Sequence, residues 1–504
     1  MLAKEIKKNI LIYSLLCLLL LGALAIRVYR TDQILGFYFD QGRDGLVIRD
    51  FINNHKLFLI GPTTGIAGIF RGPWYYWLIA PAYFLGKGNP VWPDIFLAIT
   101  TVFSITVLYY LAFRVQDKVT GMIAVVLSAF SYELMVSSRW LSNPTPMLLL
   151  SMLLLLGMFK IDDGKKWGWV LVSFASGLSL FNFGSAAEVF YFPAIFIFAL
   201  WQIKKWGVRK VIPPGKVIFA SIILFVSTFL PLVLFDFKHG GILSGNIKGF
   251  LFTGNSFKLP SWRFVFDKFE FYYNVFSYKI FNGVYEKESF ILATIAFLFT
   301  FFLSKLFKND KIKIVLLMFV SPLGGLIFFQ GNFGNIYDYY LTGYYLIFIL
   351  LVSIVLGNAW KYKVGKLFVI YFLYLFLSSN IPAIKFYLSN DGRGAETITF
   401  ATQKRAIDWI YENAKDTDFN VDVYVPPVIP YAYNYLFSWY GGDIKGRPPK
   451  ESTVSSLYTL YEVDPPHPER LNAWLKRQEG IGRVLKEEKF GGITVQKRVR
   501  IKSL

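Results

Sequence analysis

The chain has 504 residues, 55% of them hydrophobic and 19% aromatic, a composition that predicts a polytopic membrane protein. The net charge of +20 does not indicate nucleic-acid binding, because the basic residues are spread over short loops where they orient helices and contact anionic lipid. The single cysteine, Cys17, excludes an internal disulfide and a cysteine metal site, and three scattered histidines argue against a histidine zinc cluster.

Eleven apolar segments of spanning or near-spanning length occupy roughly the first 380 residues. About 20 helical residues cross a bilayer core of about 30 Å, and about 17 are tolerated. The first segment lacks a small-residue cleavage site, so we interpret it as a retained anchor. The predicted spans are residues 9–27, 92–113, 119–137, 144–160, 167–184, 186–203, 217–235, 289–304, 312–330, 339–358 and 364–380.

Clusters of lysine and arginine precede the first span, at Lys4, Lys7 and Lys8, and then recur in every second loop. Because basic loops stay in the cytoplasm, the pattern predicts a multi-pass protein of the cell (inner) membrane with a cytoplasmic N-terminus. It predicts a membrane domain over residues 1–380 and a soluble extracytoplasmic domain over residues 381–504. The outer loops of the membrane domain are then residues 28–91 and 236–288.

The tail has the pattern of a small α/β domain. Residues 397–414 show helical periodicity, residues 421–425 predict a β-strand, and residues 430–439 are aromatic and compatible with a helix. Residues 483–489 and 492–498 flank a glycine pair, which is typical of a β-hairpin. Because no phosphate-binding glycine loop is present, we expect a packing or acceptor-facing cap rather than a second active site.

The first outer loop concentrates charged side chains directly after the first span. Asp40 and Asp44 are four residues apart and share one face of a helix, with Arg43 beside them. Two carboxylates and a guanidinium suit proton abstraction and phosphate binding. The same spacing is equally consistent with a solvated loop helix that contains local ion pairs. Arg71 precedes an aromatic run over residues 72–86 that is too short to span, which predicts an interfacial helix.

Further polar residues lie at the outer ends of later spans. Ionisable groups at membrane depth are costly and are candidate functional residues, although each one alone is more typical of a helix cap or an interface anchor. Arg139 and Lys238 are candidates for binding a lipid phosphate. The candidates for substrate binding are Asn143, Glu188, Asp236, His239, Tyr337, Asp338 and Tyr340.

Five sequence elements together resemble one family. They are the acidic motif at Asp40, the GlyPro-TrpTyrTyr run at 72–76, ArgTrpLeuSerAsnPro at 139–144, AspPheLysHisGly at 236–240 and AspTyrTyr at 338–340. This pattern resembles bacterial polyprenyl-phosphate-sugar-dependent glycosyltransferases, which share the GT-C fold with protein O-mannosyltransferases and the lipid A aminoarabinose transferase (glycosyltransferase family 39 and relatives).

The resemblance implies an all-α polytopic membrane protein of the GT-C type, with about 11 transmembrane helices and a small extracytoplasmic α/β domain. It implies that Asp40 is the catalytic acidic residue. Gln41 stands where the family has a second acidic residue, which leaves Asp44 as the nearest substitute. The candidates for stabilising the leaving lipid phosphate are Arg43, Arg71, Arg139 and Lys238.

These features predict inverting transfer of a sugar from a polyprenyl-phosphate donor to an acceptor at the extracytoplasmic face, with Asp40 as general base. The expected partners are that donor, the bilayer and an unknown glycan, lipid or protein acceptor, without nucleic acid. The sequence requires no cofactor and predicts no metal ligand set, which leaves a divalent cation beside Asp40 and Asp44 as an open alternative.

Two other classes of protein stay open. A transporter or flippase for a lipid-linked or envelope substrate places charges near the bilayer midplane and often shows internal repeats, whereas here the charges cluster at one end and no repeat is visible. A non-catalytic envelope assembly protein would use the tail for binding, and nothing in the tail argues against it. The glycosyltransferase is favoured because separate outer segments contain matching family elements, although a shared fold alone does not establish activity.

Overall fold

The computed structural model describes residues 7–253, 256–330, 335–426 and 429–501, so Lys4 of the first basic cluster lies outside the described residues. Short 3₁₀ or π-helical turns extend the helix Gly168–Leu178 to Phe183 and precede the helices that begin at Tyr191 and Tyr345. In chain order the helices up to residue 388 are Ile10–Val28 (α1), Thr31–Ile34 (α2), Phe39–Asn54 (α3), Trp74–Leu85 (α4), Val91–Val115 (α5), Lys118–Phe130 (α6), Tyr132–Ser138 (α7), Met147–Asp162 (α8), Gly168–Leu178 (α9), Tyr191–Trp206 (α10), Val208–Val211 (α11), Gly215–Lys238 (α12), Ile242–Lys248 (α13), Trp262–Tyr278 (α14), Glu286–Leu306 (α15), Asp310–Ile327 (α16), Tyr345–Ala359 (α17) and Lys363–Leu388 (α18).

All eleven predicted spans form helices, but they differ in how well each could cross a membrane alone. In the described part of the chain, seven helices are long and apolar enough: α1 continued through α2, α5, α10, α12, α15, α17 and α18. The pair α6 and α7, bent by 66°, makes an eighth if it is one span. Helix α8 has only 16 residues, and α16 begins with the charged residues Asp310, Lys311 and Lys313. Neighbouring helices bury most of α8, so its length does not have to match the thickness of the bilayer core.

The basic loops that were predicted to share one side do meet at one end of the bundle. Asp162 pairs with Lys205 at 2.9 Å and with Lys311 at 3.3 Å, and Asp163 pairs with Arg114 at 2.9 Å. These ion pairs join the loops after α5, α8, α10 and α15. The loop helix α3 and the tail lie at the other end, so the alternation of charge along the sequence corresponds to the two ends of the fold.

The predicted interfacial helix is α4, which has 12 residues and is too short to span. Its start is fixed by backbone contacts to the turn that follows α9. The N–H of Gly72 donates to the carbonyl of Phe181 at 2.8 Å, and the N–H of Trp74 donates to Asn182 Oδ1 at 3.3 Å. Asn182 in turn donates to the carbonyl of Thr228 at 2.9 Å, so one buried amide joins α4 to α12.

The tail has the predicted α/β character, and its helices include Pro468–Ile481 (α21). Its four-stranded sheet has the order Phe419–Tyr424 (β1), Ser456–Glu462 (β2), Ile493–Arg500 (β4) and Gly482–Phe490 (β3), with β1 and β2 parallel and the other pairs antiparallel. The hairpin turns at the predicted glycine pair, whereas β2 and α21 were not predicted. Strand β2 pairs with β1 and β4, which lie more than 30 residues away in the sequence, and α21 is strongly polar on average. The elements are Phe400–Ala414 (α19), Phe419–Tyr424 (β1), Tyr431–Leu436 (α20), Ser456–Glu462 (β2), Pro468–Ile481 (α21), Gly482–Phe490 (β3) and Ile493–Arg500 (β4).

Candidate functional site

Helix α3 holds the two candidate catalytic carboxylates in different surroundings. Arg43 lies between them, with Nη1 at 2.8 Å from Asp40 Oδ1 and Nη2 at 2.8 Å from Asp44 Oδ1. The Asp40 side chain is 56% exposed, whereas that of Asp44 is 6% exposed and also accepts a hydrogen bond from the Tyr76 hydroxyl at 2.8 Å. Asp40 can therefore reach a substrate, and Asp44 holds Arg43 from the protein side.

The pKa values of Asp44 and Arg43 respond differently to their surroundings. Burial raises the pKa of Asp44 to about 6, and the contacts with Arg43 and Tyr76 oppose that shift. Burial alone would lower the pKa of Arg43, but the two carboxylates hold that pKa above its ordinary value. Arg43 therefore stays cationic while Asp44 titrates near neutral pH.

A short hairpin brings a second arginine to the same end of the bundle. The N–H of Gly61 donates to the carbonyl of Arg71 at 2.7 Å, and the N–H of Arg71 donates to the carbonyl of Pro62 at 3.2 Å. On this hairpin, Thr63 Oγ1 accepts a hydrogen bond from Arg43 Nη1 at 3.0 Å. The hairpin thus joins the acidic helix to the segment that presents Arg71.

Arg71 is a half-buried cation whose guanidinium makes no hydrogen bond or ion pair with the described residues. Burial lowers its pKa, and the nearby charge of Glu188 together with Tyr339 and Tyr340 opposes the shift. Glu188 itself is only 1% exposed and closes a capping box with Ser185, whose Oγ is 3.0 Å from it. The arrangement leaves a positively charged group available to an anion.

Three loops converge around this arginine. Asn143 donates to the carbonyl of Phe183 at 3.1 Å, which joins the loop after α7 to the turn after α9. Trp140 packs against Tyr339 with ring centroids 5.9 Å apart, and Tyr339 stacks on the exposed Tyr337 at 5.6 Å. Loops that are distant in the sequence therefore form one aromatic-lined site.

Two further residues extend this site on the side of α17. Tyr340 packs against the Tyr339 ring at 5.0 Å, and its carbonyl accepts a hydrogen bond from Ser185 at 3.0 Å. The Asp338 carboxylate accepts the N–H of Tyr339 at 2.7 Å and lies exposed. Of the predicted substrate-binding residues, Asn143, Glu188, Tyr337, Asp338 and Tyr340 are thus brought together here.

The AspPheLysHisGly element is mainly a helix cap. Asp236 accepts the backbone N–H groups of Leu243 at 2.7 Å and Ser244 at 3.0 Å, which fixes the start of α13. The His239 ring stacks on Phe235 with centroids 4.1 Å apart. Lys238 is exposed and, among the described residues, makes no hydrogen bond or ion pair. The structural role that a lone histidine after a helix suggests is the one that the geometry supports.

Arg139 does not join the cluster as a free cation. Its guanidinium donates to the carbonyls of Ile26 and Tyr29, each at 3.1 Å, and to Thr31 Oγ1 at 3.4 Å. These contacts satisfy the C-terminal end of α1, and they explain why a residue beside the site is buried at 5% exposure. The geometry therefore favours Arg71 over Arg139 as a phosphate ligand.

Comparison with known proteins agrees with this architecture. Residues 71–231 match the model of the dolichyl-phosphate-mannose-protein mannosyltransferase family, and a sequence comparison with curated proteins gives no match. The chain is similar in structure to ArnT from Cupriavidus metallidurans in the apo state, with a TM-score of 0.60, 9% identity and coverage of 98% of each chain. It is also similar to that ArnT bound to undecaprenyl phosphate, with a TM-score of 0.56, 10% identity and coverage of 98% of each chain.

The chain has the GT-C fold. The predicted resemblance and fold class are confirmed, including the small α/β tail that follows the membrane helices. The family match and the GT-C fold also agree with the prediction of a glycosyltransferase embedded in the membrane. The matched region includes Arg71, Asn143 and Glu188, whereas Asp40 precedes it.

A buried lysine of this GT-C protein lies near the site and was not predicted from the sequence. Lys279 is 2% exposed, pairs with Glu133 at 3.2 Å and lies over the Tyr345 ring at 4.3 Å. It is a single basic residue between aromatic residues, and no local pattern distinguishes it from a surface lysine. Among the described residues, no group of three His, Cys, Asp or Glu side chains is arranged to hold a metal ion.

The tail packs directly on the helix that holds Asp40. Helix α20 lies against α3 so closely that a Cβ at Gly42 would overlap the backbone of Ala432. Arg49 Nη2 donates to Asp443 Oδ1 at 2.7 Å, and the carbonyl of Phe37 accepts a hydrogen bond from Gln403 at 2.9 Å. Of the two expected roles for the tail, packing is therefore observed.

We expect Gly42→Ala to destabilise the protein by about 1–3 kcal/mol, because the added methyl group has no room against the backbone of α20. The measurement is the thermal unfolding midpoint of the purified protein in detergent. Gly245→Ala is the matched control, since a Cβ there meets no atom within 4 Å. An equal midpoint for Gly42→Ala and the unmodified protein would contradict the close packing of α20 on α3.

Proposed function

We propose that this GT-C protein transfers a sugar from a polyprenyl-phosphate donor to an acceptor hydroxyl, with inversion, at the extracytoplasmic face. The observation that supports it most is a solvent-accessible carboxylate, Asp40, in the same loop assembly as the half-buried Arg71, which has no ion-pair partner among the described residues. A base and an anion site are the two groups that this reaction needs. The similar ArnT has been crystallised with undecaprenyl phosphate, which supports a lipid phosphate as the anion.

In the proposed reaction the acceptor oxygen attacks the anomeric carbon while the bond from that carbon to the phosphate oxygen breaks. The hydroxyl proton passes to the Asp40 carboxylate, and the polyprenyl phosphate leaves as an anion. A single displacement inverts the anomeric configuration, and its transition state resembles an oxocarbenium ion. Because phosphate leaves as a stable anion, it requires a positive charge more than a proton donor.

Arg71 supplies that charge in the proposal. A guanidinium can donate two parallel hydrogen bonds to a phosphate, and a half-buried site strengthens them relative to water. Arg43 is bound to two carboxylates and contributes by orienting Asp40. Tyr337, Asp338 and Asn143 are placed to contact the sugar or the acceptor through aromatic faces and polar atoms.

The membrane face assigned to the site in this proposal is based on the distribution of basic residues. The ion-paired basic loops mark one end of the bundle as cytoplasmic by the positive-inside rule, and the site lies at the opposite end. Lipid-linked sugars are the activated donors that suit such a location, because the donor phosphate enters from the bilayer. The acceptor is a hydroxyl of a glycan, lipid or protein.

The test is sugar transfer by the purified protein in liposomes that contain its native membrane lipids. A panel of radiolabelled polyprenyl-phosphate sugars is compared with the corresponding nucleotide sugars, and the anomeric configuration of the product is determined by NMR. We expect transfer only from a lipid-linked donor, with inversion. Transfer from nucleotide sugars, retention of configuration, or movement of the intact donor across the bilayer without sugar release would overturn the proposal.

Activity should also depend on pH through Asp44. Since the pKa of this carboxyl is raised to about 6, its charge is lost as the pH falls below that value, and Arg43 then loses one of its two anionic partners. We therefore expect transfer to rise with pH through about 6. The measurement is the pH profile of kcat/KM for the donor. The acidic limb should disappear in Asp44→Asn, and a limb that persists there at the same pH would assign it to another group.

The Asp44 carboxyl also makes the stability of the protein depend on pH. A carboxyl with a raised pKa in the folded state holds its proton longer than in the unfolded chain. Its contribution to stability therefore falls as the pH rises from about 4 to about 6, and is constant above that range.

A further inference from the structure

A groove with a volume of about 510 Å³ opens between α1 and α18, at the end of the bundle where the first outer loop begins. Its walls are apolar and include Ile26, Phe130 and Ile384. Ile381 is 43% exposed and Tyr29 is 57% exposed, so the groove opens on the outer surface of the helix bundle rather than into its interior. The shape and lining suit a hydrocarbon chain.

Two cations stand at the rim of this groove. Arg30 donates to the carbonyls of Leu388 at 2.8 Å and Asn390 at 3.0 Å and, through Nε, to Gln33 Oε1 at 2.9 Å, and all three acceptors are neutral. Lys385 is exposed and makes no hydrogen bond or ion pair with any residue in the described ranges. The rim therefore presents two positive charges that have no acidic partner in the described part of the chain.

The wall behind the rim adds to this positive charge. Arg27 is fully buried and donates to the carbonyls of Ser128 and Ala129 at 2.9 Å, while Arg139 donates to the carbonyl of Ile26. Asp94 is the acid that interacts electrostatically with Arg139, and in the described part of the chain its carboxylate oxygens accept no hydrogen bond. Two basic side chains thus line the groove and two more lie behind its wall, and none of the four forms an ion pair with a described residue.

We propose that this groove binds an anionic phospholipid of the surrounding bilayer. Its phosphate would pair with Lys385, beside the positive charge of the Arg30 guanidinium, and an acyl chain would lie along Ile26, Phe130 and Ile381. Negative charge is required because unneutralised basic groups at the edge of a low-dielectric membrane are costly, and an anionic headgroup offsets that cost. None of the residues that line the groove belongs to the site around Arg71, so this lipid is distinct from the proposed donor.

The position of the groove gives the lipid a structural effect. Arg30 connects the end of α1 to the end of α18, and these two segments lead into the first outer loop and the tail. The tail then packs on the helix that contains Asp40. A lipid across α1 and α18 would therefore stabilise the junction from which the acidic helix is positioned.

The experiment is native mass spectrometry of the purified full-length chain with added phosphatidylglycerol or phosphatidylcholine of equal chain length. We expect tighter retention of phosphatidylglycerol, and a loss of about fivefold or more in that preference for Lys385→Glu, since one basic group near a membrane surface contributes about 1 kcal/mol. Lys363→Glu, at the opposite end of the same helix, is the matched control and should retain the preference. Equal retention of both lipids, or an unchanged preference in Lys385→Glu, would overturn the proposal.

A second variant tests the location independently of charge. Ile381→Trp places a bulky ring in the groove from an exposed position, so folding should be unaffected. We expect it to weaken phosphatidylglycerol retention, and undiminished retention would place the lipid elsewhere. Polyprenyl phosphate is added as a competitor. Its displacement of phosphatidylglycerol at equal concentration would make the groove a donor site and would likewise contradict the proposal.

Discussion

Asp40→Asn is expected to lower sugar transfer by at least about 100-fold, because general base catalysis by a positioned side chain contributes typically 10²–10⁴-fold. The asparagine has nearly the same shape and keeps a polar contact for Arg43, but it cannot accept the hydroxyl proton. The measurement is transfer from the radiolabelled lipid-linked donor in liposomes, together with the unfolding midpoint. The midpoint should change little, since the Asp40 side chain is 56% exposed.

Asp50→Asn is the matched control for this experiment. Asp50 lies on the same helix, is 39% exposed and pairs with Lys56 at 3.1 Å, so it has a comparable surface ion pair without contact to Arg43. We expect normal transfer in this variant. Near-normal transfer by Asp40→Asn would remove Asp40 as the base. A large loss in both variants would instead point to a general requirement for acidic charge on α3.

Arg71→Gln is expected to reduce kcat/KM for the donor by about 10²–10³-fold, which is the usual effect of removing one preorganised donor at the position where charge develops. The guanidinium has no competing partner among the described residues, so its removal should leave the surrounding hydrogen bonds intact. Arg71→Lys should restore part of the activity, because lysine keeps the charge but loses the bidentate geometry.

The control for Arg71 is Arg263→Gln, at an exposed position on α14 away from the hairpin. It should transfer sugar normally. The distinguishing measurement is donor binding, followed by competition with polyprenyl phosphate lacking a sugar. If Arg71→Gln binds this product as tightly as the unmodified protein and transfers normally, the phosphate site lies elsewhere, and the exposed Lys238 becomes the next candidate.

The helix pattern and the position of the acidic cluster could be predicted from the sequence, because both depend on local features. Runs of apolar residues predict helices wherever they occur, and a four-residue spacing places Asp40 and Asp44 on one face. The hairpin in the tail was predicted for the same reason, from two adjacent glycines. Strand β2 was missed because its partners, β1 and β4, lie outside any local window.

The roles of individual arginines could not be predicted in this way. Arg71 and Arg139 look equivalent in the sequence, since each follows an aromatic or apolar segment at the same membrane face. Arg139 is bound by the carbonyl of Tyr29, a residue 110 positions away, and this contact removes it from the candidate site. Whether a cation is free depends on which distant carbonyls and carboxylates lie beside it.

The sequence by itself thus determined the helical architecture, and it predicted the orientation of the chain in the membrane and the end of the molecule where chemistry could occur. Helices and basic loops depend on the local order of apolar and charged residues, so both can be predicted from the sequence alone. Only the tertiary structure decided that Asp44 is buried while Asp40 is exposed, that Arg71 has no ion-pair partner within the described ranges, and that the tail packs on α3 at Gly42. Burial and pairing are set by contacts between segments far apart in the chain, which no local pattern specifies.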